Sequence, residues 1–334
     1  MAQGDSSRHL HGDAAAESLK SAGTAAAAGG EKGEAKGEEP MKPPTLLNSL
    51  LIPKYLTSFA IIALGIVLLF LKAINRWIRI GVLALVFVLF GLDYVFPLHP
   101  SPVCGVTKLF MFKFTTGRFL AGFLVIFLAI FIPSIVGRKL FCGWVCPLGA
   151  LQELVNKIPF KPRWKQFNFA IFNAIRFALL IMFVLTFFRV KSQIAGLGHE
   201  VGGDISQGIW RAYSAYSVYE PVNFFELLHW NIDTLWWIMM AALVILSLML
   251  YRPFCYAICP VGALSWLLEK IAPGKISVNR SKCEKCDDCI SKSPCPTIKP
   301  LRDGVSAFRL PDCTSCGECL KACTHGSIKF GFTR

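Results

Sequence analysis

Twelve of the thirteen cysteines in this chain of 334 residues fall into four regularly spaced groups, and this spacing restricts the fold more than any other feature. Two groups lie near the carboxyl terminus as C-x2-C-x2-C runs, each followed by a fourth cysteine. The first group is Cys283, Cys286, Cys289 and Cys295, and the second is Cys313, Cys316, Cys319 and Cys323. A secreted disulfide scaffold would be smaller and richer in loops, so the regular spacing indicates metal binding instead.

The two runs predict two [4Fe–4S] clusters held as in bacterial ferredoxins, where three cysteines of one run bind one cluster and the fourth cysteine binds the other. The predicted ligands are Cys283, Cys286, Cys289 and Cys323 for one cluster, and Cys313, Cys316, Cys319 and Cys295 for its partner. Structural zinc also takes four thiolates, but it does not need a third cysteine at this spacing in both halves. Two departures from the usual motif, a longer gap before Cys295 and Thr324 in place of proline, remove no ligand.

The composition is that of a membrane protein, with 54% hydrophobic and only 17% charged residues. The net charge of +14 does not indicate nucleic-acid binding, because the basic residues cluster beside apolar segments, as the positive-inside rule describes. Residues 1–43 contain no aromatic residue, so we expect a disordered tail there. A transmembrane α-helical domain is expected at residues 44–275, followed by a small ferredoxin-like α+β module at residues 276–334.

Five apolar stretches approach the roughly 20 residues that a helix needs to cross a bilayer. They lie near Tyr55–Leu71, Ile78–Phe96, Phe119–Val136, Phe169–Phe188 and Leu235–Tyr251. Basic residues dominate the segment 138–165, whereas acidic residues outnumber them in the segment 189–226, so the first is expected in the cytoplasm and the second outside. This pattern predicts a multi-pass protein of the bacterial inner membrane with the ferredoxin-like module on the cytoplasmic side.

The other two cysteine groups form an internal repeat. The motif Phe-Cys-x3-Cys-Pro-x-Gly-Ala-Leu begins at Phe141 and again at Phe254, and a basic residue precedes each copy at the same offset. Both copies follow an apolar stretch, so we expect two parallel repeats that bring four thiols together: Cys142, Cys146, Cys255 and Cys259. The thiols could hold a third iron–sulfur centre or act as two redox-active dithiols. Alternatively, proline and glycine only end a helix here, and the cysteines pack as small apolar residues.

Two C-x3-C-P repeats followed by two ferredoxin cysteine runs resemble the NapH-type membrane polyferredoxins, the ferredoxin-type membrane components of quinol dehydrogenases. The carboxy-terminal half of NosR-type proteins, the methylamine-utilisation ferredoxin and the CcoG-like proteins share this layout. The resemblance covers roughly residues 75–330. It implies an integral membrane electron carrier that takes electrons from quinol or supplies them to periplasmic redox partners. A companion ferredoxin or a periplasmic c-type cytochrome is an implied partner.

Four further residues are weaker candidates. Cys104 lies in a proline-rich segment that is expected outside the membrane. The favoured interpretation is a lone thiol in a turn, and the alternative is a contact where electrons leave on the outer side. Arg176 lies within a predicted membrane helix, where it could pair with a cluster, a quinone oxygen or an acid, or snorkel to the interface. Glu153 and Glu269 follow the two repeats, and we expect both on the surface of an amphipathic helix rather than as proton acceptors.

These features predict electron transfer between the quinone pool and protein redox partners through iron–sulfur clusters, in a protein that contacts membrane lipid and binds no nucleic acid. An oxidoreductase role, as a component of a quinol dehydrogenase, is left open. One alternative is a membrane reductase that supplies electrons for the maturation of a metalloprotein. Another is an iron–sulfur sensor or membrane anchor, although such a protein needs no relay of paired thiols beside the membrane.

Overall fold

The computed structural model describes residues 50–92, 102–160, 164, 167–197, 234–306 and 309–332. The predicted tail at residues 1–43 and most of the predicted external segment 189–226 lie outside these ranges. Helices dominate the described residues, and a two-stranded sheet completes the carboxy-terminal part.

The first half of the helical part leads to the first cysteine repeat. Its described helices are α1 (Pro53–Phe70), α2 (Arg76–Val86), α3 (Pro102–Thr116), α4 (Ala121–Gly137), α5 (Leu140–Trp144) and α6 (Pro147–Asn156). A π-helical turn at Phe87–Gly91 extends α2. Both α1 and α6 begin with proline, whose missing N–H and fixed φ are well tolerated in the first helical turn. The sequence does not predict α3, which carries Lys108 and Lys113 and is less apolar than α4.

The second half has the same plan. Its described helices are α7 (Phe169–Leu197), α8 (Thr234–Met249), α9 (Pro253–Ala257) and α10 (Pro260–Leu268). The helix that precedes each repeat packs against the helix that follows the other repeat, since α8 contacts α6 and α4 contacts α10. In the same way, α2 packs on α6 and α7 packs on α10. A two-fold relation between parallel repeats produces contacts of this exchanged kind.

Two described helices are long and apolar enough to cross a membrane: α1 and residues Phe169–Gln193 of α7. Helix α4 and residues Trp237–Met249 of α8 are apolar but shorter. Each of the five predicted apolar stretches contains helix, but five membrane crossings are not confirmed. Large apolar side chains that face outward, such as Leu64, Leu185 and Ile245, are compatible with lipid contact.

The carboxy-terminal part forms an α+β module. Strand β1 (Gly274–Val278) pairs antiparallel with β2 (Ile328–Phe332), and Ile276 lies opposite Phe330. The elements described between the strands are a 3-10 turn (Arg280–Lys282) and the short helices α11 (Asp288–Lys292), α12 (Ile298–Arg302) and α13 (Glu318–Ala322). Strand β1 begins close to the boundary predicted at residue 276.

The module and the helices share one apolar core. Leu69 of α1, Ile130 of α4, Trp144 of α5 and Ile276 of β1 belong to the same buried cluster. Trp144 also donates a hydrogen bond from Nε1 to the Ser315 carbonyl oxygen at 3.0 Å. Burial of this shared surface fixes the module against the cysteine repeats, because separating the two would expose apolar area to water.

Candidate metal centres

Each cysteine repeat folds into the same turn between two short helices. In both copies the second cysteine, Cys146 or Cys259, is the N-cap of the following helix, and proline is the first residue of that helix. The amide of this cysteine donates to the carbonyl oxygen of the phenylalanine that begins the motif, Phe141 or Phe254. A helix does end inside the motif at Trp144, but proline begins the next helix instead of ending one.

The glycine of each repeat is required by a close approach to backbone. A Cβ on Gly149 would lie 2.8 Å from the Cys142 carbonyl oxygen, and a Cβ on Gly262 would lie 2.5 Å from the Cys255 carbonyl oxygen. Both distances are shorter than real Cβ contacts, and a backbone oxygen cannot move aside as a flexible side chain can. Glycine thus allows the helix after each repeat to pack directly on the first cysteine.

The four repeat thiols line one buried cavity, as the parallel repeat predicts. The cavity is lined by Cys142, Cys146, Cys255 and Cys259. Its volume of about 30 Å³ is roughly twice the space that one buried water needs. Gln152 donates a long hydrogen bond from its Nε2 to the Cys255 sulfur at 3.5 Å. We call this space the repeat cavity.

A basic side chain beside each repeat donates a hydrogen bond to the backbone of the other repeat. Lys139 Nζ donates to the Gly262 carbonyl oxygen at 2.7 Å, and Arg252 Nη1 donates to the Cys142 carbonyl oxygen at 2.7 Å. Both cations have positive φ, +41° and +53°, which residues other than glycine rarely adopt. Strained backbone of this kind persists only where surrounding contacts impose it. Both side chains are buried, and their hydrogen bonds to the other repeat supply such contacts.

Glu153 is the buried counter-charge on one side of the repeat cavity. It accepts hydrogen bonds from Arg79 Nε at 2.7 Å, from Tyr251 Oη at 2.9 Å and from Arg252 Nη2. Burial alone would raise the pKa of this carboxyl, but the charges of Arg79 and Arg252 hold it well below its ordinary value. The expectation of a surface position is wrong for Glu153, which is 1% exposed, and for Glu269, which is 2% exposed.

Asp312 is the counter-charge on the other side. It accepts from Lys139 Nζ and, as a bidentate pair, from Arg176 Nη1 and Nη2 at 2.7 and 2.9 Å. Burial would raise the pKa of Asp312, but the charges of Lys139 and Arg176 lower it. Arg176 also donates to the Cys255 carbonyl oxygen at 3.2 Å. Of the partners considered for Arg176, the structure shows an acid, and the fully buried side chain does not snorkel to the interface.

The surroundings of the repeat cavity fit an anionic metal centre. Two cations and one carboxylate line the cavity, so its lining carries an excess of one positive charge: Lys139 and Arg252 against Asp312. Arg252 lines the cavity, and its Nε is buried without a hydrogen-bond partner among the described residues. An iron–sulfur centre held by four thiolates is an anion with sulfur acceptors, so these residues fit it.

The repeat thiols do not have the properties of reactive dithiols. Burial raises the pKa of all four, to about 11 for Cys142. Reactive cysteines instead have a lowered pKa, whereas metal binding would displace the protons of these half-buried thiols. Within the described ranges, no three His, Cys, Asp or Glu side chains converge on one point as a single metal ion requires.

In the module, the structure brings together the second predicted ligand group. Cys295 lies close enough to Cys313 and Cys316 for their charges to interact, and Cys319 lies close to all three. Cys313, Cys316 and Cys319 are buried. The longer gap before Cys295 therefore does not remove this cysteine from its group.

The first predicted ligand group lines a separate cavity nearer the surface. Its members are Cys283, Cys286, Cys289 and Cys323, and Cys286 is exposed. Ser327 Oγ lies 3.1 Å from the Cys323 sulfur. Burial would raise the pKa of Cys323, but hydrogen bonds from Ser327 and nearby amides lower it, so this site already stabilises a thiolate.

Both cysteine runs of the module share an unusual backbone. The residues on either side of the second cysteine have positive φ: Lys285 and Asp287 around Cys286, and Ser315 and Gly317 around Cys316. Backbone that enters the left-handed region in this way can direct successive N–H groups into a concave anion site, which many iron–sulfur centres use. This shared geometry favours iron–sulfur clusters over structural zinc.

The loop of the second run packs directly on the first repeat. Asp312 and Thr314, the neighbours of Cys313, both line the repeat cavity. A Cβ on Gly143 would collide with the Thr314 carbonyl oxygen, so only glycine permits this approach. The Cys313 loop thus lies against the repeat cavity, and the helices that carry Cys319 and Cys289, α13 and α11, pack on each other.

Comparison with known proteins links the repeats to iron–sulfur binding. A sequence family described as a 4Fe-4S binding domain, Fer4_5, matches residues 119–165 and 232–279. YccM of Escherichia coli K12, named as a candidate electron transport protein, is 27% identical over 237 residues, 68% of this chain and 60% of YccM. The ferredoxin-type protein NapH of the same strain is 29% identical over 205 residues, 58% of this chain and 61% of NapH. The chain is thus similar in sequence to a candidate electron transport protein and to a ferredoxin-type protein.

Further matches agree with this relationship. The regulatory protein NosR of Pseudomonas aeruginosa is 27% identical over 188 residues, 55% of this chain and 23% of NosR. The matched part spans about 60% of YccM and of NapH. No solved structure matches the chain. The Fer4_5 match ends before Cys283, so it concerns the repeat cysteines and links them to 4Fe-4S binding.

Sequence reasoning missed two of the charged residues around the repeat cavity, Arg79 and Asp312. Neither belongs to a motif, although Asp312 directly precedes Cys313. The basic residues before each repeat were the one local signal, since Lys139 and Arg252 occupy equivalent positions. Cys104 lies in helix α3 rather than in the predicted turn.

Proposed function

We propose that this protein carries electrons between the quinone pool and protein redox partners through three iron–sulfur centres in series. The observation that carries the proposal is the direct packing of the Cys313 loop on the repeat cavity, through Asp312 and Thr314. A bound cluster of this type supplies one-electron transfer at each site. Three adjacent thiol groups that begin beside apolar helices and end at an exposed cysteine form a continuous route for electrons.

The proposed ligands follow the thiol groups. Two [4Fe–4S] clusters are assigned to Cys283, Cys286, Cys289 and Cys323, and to Cys313, Cys316, Cys319 and Cys295. A third centre is assigned to Cys142, Cys146, Cys255 and Cys259. Its support is the excess positive charge, the unpartnered Arg252 Nε and the family match to both repeats.

The residues around each group would hold, shield and tune its centre. Lys139 and Arg252 bring positive charge to the repeat cavity, which favours the more negative, reduced state of a bound centre. Apolar side chains such as Leu148 and Phe254 keep water away from the same cavity. The exposed Cys286 marks the surface where a partner would exchange electrons.

The proposal locates the helical part in the bacterial inner membrane as a multi-pass domain, with the module in the cytoplasm. Its support is the basic segment 138–165 beside the repeat and the two helices long enough to span a membrane. A companion ferredoxin or a periplasmic c-type cytochrome would be the protein partner. Membrane lipid surrounds the apolar helices in this arrangement.

Anaerobic purification in detergent tests the proposal. Three centres predict about twelve irons per chain with matching sulfide, and EPR signals that appear when a quinol analogue is added. Cys142→Ser and Cys255→Ser should each lower the count to about eight, because the repeat centre loses a ligand. Cys104→Ser, which changes the cysteine outside the three groups, is the matched control and should keep the full count.

Each contrary result removes a defined part of the proposal. Zinc in place of iron would contradict the iron–sulfur assignment. About eight irons in the unaltered protein, with no loss in Cys142→Ser, would eliminate the third centre. Complete clusters that no quinol analogue reduces would refute the quinone link and leave a protein donor as the source of electrons.

A further inference from the structure

A cleft lies between the module and the ends of the apolar helices. Its volume of about 380 Å³ is within the range of roughly 300–1,000 Å³ that small-molecule sites occupy. Arg76, Lys157 and Trp164 line the wall on the helical side. Lys292, Glu318 and Lys321 belong to the wall that the module supplies. The cleft is distinct from all three thiol groups, since no cysteine lines it.

The charge of this cleft is strongly positive. Its four cations face a single carboxylate, Glu318, which pairs with Lys157. Lys292 pairs with Asp288, which lies outside the cleft lining. Arg76 and Lys321, one from each wall, have no acidic partner among the described residues, and the guanidinium of Arg76 makes only a long 3.5 Å contact to the Lys157 carbonyl oxygen. These two cations are therefore available to bind an anion.

The cleft opens where the apolar helices end. Ile74 follows α1, and Met249 is the last residue of α8; both line the cleft. Large apolar side chains near the opening of the cleft are exposed, and a protein surface in water has no need of them: Leu71, Trp77, Ile158, Phe160 and Trp164. Exposed tryptophan beside basic residues is the usual composition of a membrane interface, where lipid headgroups lie.

We propose that this cleft binds the phosphate group of an anionic phospholipid. The guanidinium of Arg76 and the ammonium of Lys321 would hold the phosphate from opposite walls, because both are strong donors to phosphate oxygens. The acyl chains would lie along the exposed apolar side chains that surround the opening. A lipid held in this way connects the helical part to the module, so it stabilises the position of the Cys313 group against the repeat cavity.

Binding of short-chain phosphatidylglycerol to the delipidated full-length protein in detergent tests the site. Native mass spectrometry should show one retained molecule per chain and much weaker retention of phosphatidylcholine. Each basic side chain near an anionic headgroup contributes roughly a five-fold gain in affinity, so the double variant Arg76→Gln, Lys321→Gln should bind roughly 30-fold more weakly. Lys275→Gln, Lys329→Gln removes the same charge outside the cleft and should leave binding unchanged.

Three results would overturn the proposal. Equal retention of phosphatidylcholine and phosphatidylglycerol would refute a site for an anionic headgroup. Unchanged binding in the Arg76 and Lys321 variant would refute this cleft. Inorganic phosphate that competes as well as the lipid would identify a free phosphate as the ligand instead. Both residues are exposed, so the double variant should fold correctly. The single variant Lys321→Gln repeats the test with a smaller change and should weaken binding roughly five-fold.

Discussion

Glu153 balances two fully buried arginines, so the substitution Glu153→Gln measures how much the ion network around the repeat cavity stabilises the protein. Arg79 and Arg252 are both 0% exposed, and each donates to this carboxylate. Glutamine keeps the size of the side chain but removes the charge, which leaves a buried cation without its counter-ion. Breaking a buried pair in this way costs about 3–5 kcal/mol.

Thermal unfolding in detergent, followed by tryptophan fluorescence, is the assay. Domains of about 150–250 residues lose roughly 2–4 °C of Tm for each kcal/mol, so Glu153→Gln should lower Tm by roughly 10 °C. Glu284→Gln is the matched control, because this carboxylate is 68% exposed and its ion-pair partner among the described residues is the surface His325. Its Tm should change by no more than about 2 °C.

The pH dependence of this difference follows from the lowered pKa of Glu153. A carboxyl whose pKa is depressed in the folded state contributes stability above its unfolded pKa of about 4.3 and loses it as pH falls through the folded value. The difference in Tm between the variant and the unaltered protein should therefore be the same at pH 8 and at pH 6. A loss for Glu153→Gln no larger than that of Glu284→Gln would refute the reasoning.

Two further substitutions test the module and its docking. Ser327→Ala should lower the reduction potential of the centre assigned to Cys323 by about 40 mV, because a hydrogen bond of about 1 kcal/mol no longer favours the reduced state. EPR-monitored redox titration measures this potential, and the control Ser281→Ala, at an exposed position, should show no shift. Gly143→Ala should lower Tm and slow reduction of the module, because the added Cβ would collide with the Thr314 backbone. The control Gly81→Ala places its Cβ in open space and should raise Tm slightly. Equal effects of the two substitutions would contradict the docking of the module on the first repeat.

The cysteine spacing predicted the grouping of all twelve motif thiols, because each group depends on a local ligand pattern and on a repeat visible in the sequence. Hydropathy located helices at each apolar stretch but did not establish how many cross a membrane, since length and composition alone qualify only two. The role of proline was misjudged, because the same residue can end one helix or begin the next.

The sequence by itself predicted the metal class, the two ferredoxin-type runs and the approximate two-fold relation of the repeats, because these follow from spacing along the chain. Only the tertiary structure decided which charges surround the repeat cavity. Arg79 and Glu153 are 74 residues apart, and Arg176 and Asp312 are 136 residues apart. A buried charge must have a partner because burial without one is costly, yet no local pattern selects which distant residue supplies it.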